Sequence, residues 1–148
     1  MLKRIVYGVC GAAIVGLGIF SIYAWHPAID PVVPTQTDYS PQVIEQGKIL
    51  AAAGYCSTCH TPPGGTAYAG NYEMHTDFGT IYSSNITPDV ETGIGSWSQA
   101  AFARAMRTGV SRDGHHLLPA FPFEHFNKMT DDDINAIYAY IMTSVPAV

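Results

Sequence analysis

Only three cysteines occur in the chain. Two of them fall in one short run, Cys56-Ser57-Thr58-Cys59-His60. Thiols three residues apart cannot staple a fold in the way that the disulfides of small secreted domains do, so the pair needs a local, chemical explanation. A bare C-x-x-C serves thioredoxin-like redox chemistry or half of a zinc site. Zinc would ask for a second ligand pair of similar spacing. His75, His115 and His116 lie far along the chain, and no second cysteine pair exists. Thioredoxin-like chemistry would ask for a βαβ context, and the pattern here is helical. The trailing histidine selects a third chemistry, because C-x-x-C-H is the attachment signature of c-type haem. Each thiol forms a thioether to one vinyl group, and the next residue, His60, is then placed beneath the iron as an axial ligand. One covalent haem is therefore expected, held by Cys56, Cys59 and His60.

These residues must be carried by helices. Ser40-Pro41 pairs a cap with proline at the first helical position, and Val43, Ile44, Gly47, Leu50 and Ala51 follow at helical spacing up to Gly54. Residues 61 to 95 are rich in Pro, Gly, Thr, Ser and Asn and predict a long loop, of the kind that wraps a ligand. Ser96-Trp97-Ser98-Gln99 matches a capping box and predicts a second helix from about Trp97 to Thr108, closed by Gly109. Residues 115 to 128 are again irregular. Thr130 with Asp133 caps a last helix to about Ser144, with Met129 and Ile134 as a possible staple. The three acidic residues 131 to 133 suit that helix's N-terminus. This is an all-α domain with long loops, and a rigid apolar cofactor would complete its small core.

Residues Ile5 to Trp25 carry no charge and would span about 31 Å as a helix, the thickness of a bilayer's hydrocarbon. Lys3 and Arg4 precede them, which places the N-terminus in the cytoplasm and the rest outside. A cleaved signal peptide is the rival reading, but its apolar region is usually shorter, and Ile22 is too large for the cleavage motif before Ala24. Gly8, Ala12 and Gly16 recur every four residues, as membrane-helix packing faces do, although glycine and alanine are common in such helices anyway. Residues 1–25 are thus expected to be an anchor. Residues 26–40, with Pro27, Pro31 and Pro34, form an extended spacer lifting the domain off the membrane. Residues 41–148 form the haem domain. The exported part holds five lysines and arginines against all twelve aspartates and glutamates, a balance of −7 that argues against nucleic acid.

From about Gln46 to Val148 the chain resembles the cytochrome c subunits of bacterial membrane-bound periplasmic dehydrogenases, those acting on alcohols, gluconate and aldehydes and the molybdenum hydroxylases included. The resemblance rests on Gly79 through Asp89, with its Asn-Ile-Thr-Pro-Asp run, on Thr92-Gly93-Ile94-Gly95, on Phe102 through Gly109, on Asp113-Gly114, on Leu117 to Pro122 and on the terminal helix. It implies a class I cytochrome c fold with about three main helices around one haem. The chain would be an electron-transfer protein and not an enzyme. It would sit in the inner membrane with its haem domain in the periplasm, relaying electrons from a dehydrogenase catalytic subunit toward quinone or the respiratory chain. Members usually continue into two further haem domains, which are candidate partners.

Many members also carry methionine in a Pro-Ala-Met-Pro-Tyr run as the other axial ligand. Here it reads Pro119-Ala120-Phe121-Pro122-Phe123, and phenylalanine cannot ligate iron. His125, four residues on, is the expected sixth ligand. Met106, Met129 and Met142 are alternatives, and an open iron would instead suit a haem enzyme or gas sensor. Trp97, Tyr82, Arg104 and Arg107 are candidates to wall the haem or bond its propionates, each also explicable as a core aromatic or a solvated basic face. His115 and His116 are expected to be solvated or hydrogen-bonded, His75 to be a loop histidine without a partner, and Asn85 to fix a turn.

Overall fold

A computed structural model describes residues 2 to 33 and 38 to 148. The uncharged N-terminal run falls in α1, Leu2–Ala24, whose stretch Lys3–Ala24 is long and apolar enough to cross a membrane and is not buried against the rest of the protein. The haem-motif domain begins with α2, Pro41–Ala53. Ser40 caps it by accepting from the Val43 amide at 3.4 Å, and Pro41 stands at its start. Next come α3, Cys56–His60; the strands β1, Glu73–Thr76, and β2, Gly79–Tyr82; and α4, Gln99–Thr108. The short α5, Phe123–Phe126, and the terminal α6, Asp131–Ser144, complete the order.

The core is the crossing of α2 and α6, with α4 packed beside it. Ala51, Phe102, Met106, Ile134, Ile137, Tyr138 and Ile141 are all buried there. Gly47 marks the closest approach, because a Cβ at that position would run into the main-chain carbonyl of Ala136. Gln46 Nε2 donates to Asp133 Oδ1 at 2.9 Å and pins the start of α6 to α2. Thr130 caps α6 by accepting from the Asp133 amide at 3.1 Å, so the triple-aspartate run occupies the first turn, where the helix dipole favours negative charge.

Three expectations change. The 61–95 stretch is not wholly irregular: Glu73 to Thr76 pair antiparallel with Gly79 to Tyr82, so the all-α class gains one hairpin. Asp77 and Phe78 form its two-residue turn, Gly79 opens the return strand at φ +127°, and Thr80, Ile81 and Tyr82 suit an extended strand. Second, α4 starts two residues later than the capping box implied. Ser98, not Ser96, accepts from the amide three residues on, at 3.2 Å from Ala101, while Trp97 N is held by Ile94 O in the preceding turn. Third, the proline-rich spacer is not free at its start. Ile29 N donates to Arg112 O at 2.7 Å, Val32 N to Ser96 O at 2.9 Å and Arg104 Nη1 to Pro27 O at 2.7 Å, so residues 26 to 33 lie along the domain. Pro34 and the rest of 34–37 fall outside the described residues.

Candidate haem-binding site

The end of α2 delivers the C-x-x-C-H run. Gly54 brings the chain close to Phe126 on α5, its hypothetical Cβ meeting that ring at 3.0 Å. The left-handed residue that redirects the backbone is Tyr55, at φ +59°. One short helical turn, α3, then carries Cys56, Cys59 and His60. On a helix, positions three and four apart share a face, so the two thiols and the histidine line one cavity. Neither thiol is in a disulfide. Burial pushes the Cys56 thiol up to about 11, partly offset by a backbone hydrogen bond and reinforced by the neighbouring Cys59. It is therefore held as a thiol, whereas redox cysteines are poised as thiolates.

His60 is half-buried, and its Nδ1 lies 2.7 Å from the carbonyl of Ser84. A carbonyl only accepts, so Nδ1 carries the proton and Nε2 is left with its lone pair for a metal. Burial lowers the imidazole's pKa and the Ser84 bond partly restores it, which keeps the ring neutral as a ligand must be. The loop that supplies Ser84 is set by its neighbour Asn85. Asn85 Oδ1 accepts from Thr87 N at 2.8 Å, and Nδ2 reaches Thr92 Oγ1 at 2.9 Å and Val148 O at 2.7 Å. The expected turn is thus an Asx turn that also grips the far end of the chain.

The cavity has a volume of about 930 Å³. That is at the upper end of the roughly 300–1,000 Å³ typical of small-molecule sites. Ile94, Phe102, Met106 and Ile141 form an apolar back wall, and Met74 and Ile81 of the hairpin form one side. Trp97 and Tyr82, candidates for the haem wall, line it, and Tyr138 steadies Trp97 by donating to its carbonyl at 2.8 Å. The wall contributed by the 115–129 segment contains Phe121, His125, Phe126 and Met129, with Phe121 and Phe126 stacked at 5.6 Å. Of the candidate sixth ligands, His125, Met106 and Met129 reach the cavity and Met142 does not line it. A large, mostly apolar chamber with two thiols and a neutral imidazole on one turn suits a covalently attached haem. Among the described residues no three histidine, cysteine, aspartate or glutamate side chains converge on a bare metal ion.

In place of the two candidate readings of Arg104 and Arg107, haem wall and solvated basic face, the structure shows a third arrangement. Neither lines the cavity, because backbone carbonyls claim both. Arg104 donates to Pro27 O, to Arg112 O at 2.9 Å and to Ser111 O. Arg107 donates to Asn127 O and Met129 O, each at 3.0 Å, and to Asp131. It thereby holds the segment between α5 and α6 that carries Met129. The Asp131 carboxylate is 92% exposed and the Arg107 side chain 31%, so water screens the ion pair and the carbonyl bonds matter more. Arg107→Ala is expected to lower stability by about 1–3 kcal/mol, and Asp131→Ala by less than about 1 kcal/mol. Urea denaturation midpoints check the contrast.

His115 and His116, expected at a solvated turn, also border the cavity. His115 Nδ1 contacts Asp113 at 2.5 Å and Ser111 Oγ at 3.0 Å. His75 has a partner after all, Thr80 Oγ1 at 3.3 Å across the hairpin. Nothing in the sequence marked Ser84 as the partner of His60, since its contact is made by a main-chain carbonyl.

The family model described as Cytochrome c matches residues 44–144. The chain is 52% identical over 141 residues, 94% of its length, to a nicotinate dehydrogenase subunit of Pseudomonas putida, of which the match covers 12%. It is 45% identical over 106 residues, 72% of its length, to the gluconate 2-dehydrogenase cytochrome c subunit of Pantoea cypripedii, covering 24% of that protein. It is 41% identical over 119 residues, 80% of its length, to the fructose dehydrogenase cytochrome subunit of Gluconobacter japonicus, again covering 24%. The chain thus spans about an eighth to a quarter of these relatives' lengths.

Proposed function

The chain belongs to the cytochrome c family, and on that premise we propose that it is a membrane-anchored, single-haem electron relay of a periplasmic dehydrogenase. Electrons would come from the catalytic subunit and pass toward quinone or another respiratory acceptor, directly or through further haem domains. The relatives support the partner, since each is named as a subunit of a dehydrogenase. The span of α1 and the positive charges before it support a single-pass inner-membrane anchor with residues 26–40 as linker and 41–148 as the periplasmic domain. The observation that carries the proposal is the convergence of Cys56, Cys59 and His60 on one apolar chamber.

When bound, haem supplies an iron that gains and loses one electron. The chain does the rest. Cys56 and Cys59 would hold the group through thioethers, and His60, its ring orientation set by Ser84, would offer Nε2 to the iron. Phe102, Ile94 and Met106 exclude water, which limits solvent reorganisation around the metal and tunes its potential. His125 is proposed as the sixth ligand. It is a cavity-lining imidazole, and no side-chain hydrogen bond to it occurs among the described contacts.

Met129 is the second reading. It also lines the cavity, is half-buried against the core and has its carbonyl held by Arg107. Electron paramagnetic resonance and optical spectra of His125→Ala and Met129→Leu distinguish the two. Conversion of low-spin iron to high-spin in His125→Ala alone is expected, together with a low potential, because a thioether would favour the reduced metal. A sulfur-to-iron band in the wild type, lost in Met129→Leu, transfers the role to Met129. A wild type already high-spin would give weight to an open-iron enzyme or sensor.

A further inference from the structure

The exit of α1 is gripped by the haem domain. His116 Nε2 lies 3.3 Å from the carbonyl of Ala24, one of the last carbonyls that a helix leaves without a partner of its own. The ring of His26 meets that of His116 edge-on at 5.1 Å. From there the chain is fastened at Pro27, Ile29 and Val32 by the backbone and arginine bonds described above, with Arg112 Nη1 returning to Ile29 O at 3.2 Å. Gly114 makes this possible: it has φ +95°, and a Cβ there would strike the carbonyl of His26. A domain held on both sides of residue 26 has no free swivel between its cavity and the helix.

The orientation this imposes is specific. The loop that caps Ala24 is the one whose residues His115, His116, Leu117 and Leu118 border the haem cavity. A span of 22 residues covers about 33 Å, so Ala24 falls at the boundary of hydrocarbon and headgroups. Tyr23, 79% exposed, and Trp25, 71% exposed, are of the types that settle at that depth. Leu117 and Leu118 give the same loop two apolar side chains at the rim of the cavity. We propose that the headgroup layer of the bilayer is the partner of the His115–Leu118 loop. That lip of the haem cavity then rests on the membrane surface in a fixed orientation. The inference depends on the proposal that α1 spans the membrane.

The test uses the full haem-loaded chain in liposomes, in a Cys10→Ala background. With Cys56 and Cys59 taken by haem, a single added cysteine then carries a fluorophore. Leu118→Cys is compared with Tyr23→Cys near the end of the helix and with Phe78→Cys at the fully exposed hairpin tip. Emission is measured with and without lipids bearing a nitroxide on the headgroup, a ratio that cancels constant quenching by haem. Loss of emission at 118 comparable to that at 23, with none at 78, is expected. Loss at 23 but not at 118 overturns this inference and leaves the anchor standing; no loss at either overturns both. Adding Gly114→Ala breaks the grip and is expected to restore emission at 118 while leaving 23 quenched and the visible haem spectrum unchanged. Quenching at 118 that persists in that variant overturns the clamp.

Discussion

Cells producing the His60→Ala chain are expected to accumulate far less haem-bearing protein than wild type. What survives should show a high-spin or exogenously ligated iron. His60 is the one imidazole on the turn that carries both thiols. Its Nδ1 is committed to Ser84 at 2.7 Å, which presents Nε2 as the ligand nitrogen. Loss of a partner that merely orients a metal ligand costs about 10–100-fold in affinity or activity, and loss of the ligand itself should exceed that. The check is covalent haem per unit protein after denaturation, followed by the spectrum of the fraction that remains. Cys59→Ser, which removes one thioether and leaves His60 in place, should instead retain low-spin iron in whatever fraction is assembled. Equal haem content and an unchanged spectrum in His60→Ala would remove the basis of the site.

The second large effect concerns a residue with no side chain. Gly47→Leu is expected to abolish folding of the domain, and Gly47→Ala to destabilise it by about 1–3 kcal/mol, the usual range for overpacking a core. That cost opposes a helix-propensity gain of about 1 kcal/mol for alanine over glycine, so the sign is informative. The obstacle decides it. An added Cβ meets the main-chain carbonyl of Ala136 and then the Cβ of Tyr140 at 2.9 Å, and backbone cannot rotate aside as a side chain can. Helices α2 and α6 would have to separate, and α2 ends one residue before Gly54, the left-handed Tyr55 and the attachment turn. Haem content should therefore fall with stability. Denaturant unfolding of the haem-loaded protein checks this through its midpoint at unchanged slope. A stabilised Gly47→Ala variant would mean that α2 and α6 can part slightly without loss.

Much of the site was legible because its chemistry is local. Two thiols and a histidine at spacings of three and one need only a single helical turn to face together, and side-chain hydroxyls at Ser40 and Thr130 cap helices within three residues of themselves. An uncharged run long enough to cross a bilayer is likewise a property of consecutive residues. These features are set by covalent spacing, and no distant contact is needed to predict them.

What the tertiary structure alone decided was the fate of groups whose partners are backbone atoms far along the chain. Arg104 and Arg107 were candidates to bond propionates, yet their terminal nitrogens donate to carbonyls of residues 27, 111, 112, 127 and 129. Main-chain acceptors are identical at every position, so no residue type announces them. The same holds for Ser84, which orients His60 across 24 residues, and for Val148, which Asn85 holds across 63. The proline-rich linker carried the composition of a spacer, and only its bonds to residues 96, 104 and 112 turned its first part into a clamp. Gly47 read as one more small residue on a helix face until Ala136 was seen against it. The amino-acid sequence specified the attachment turn, the caps and the apolar helix through neighbours in the chain. The tertiary structure specified which nitrogen faces the cavity, which cations are already committed and how the domain meets its helix, because those depend on atoms brought together only by folding.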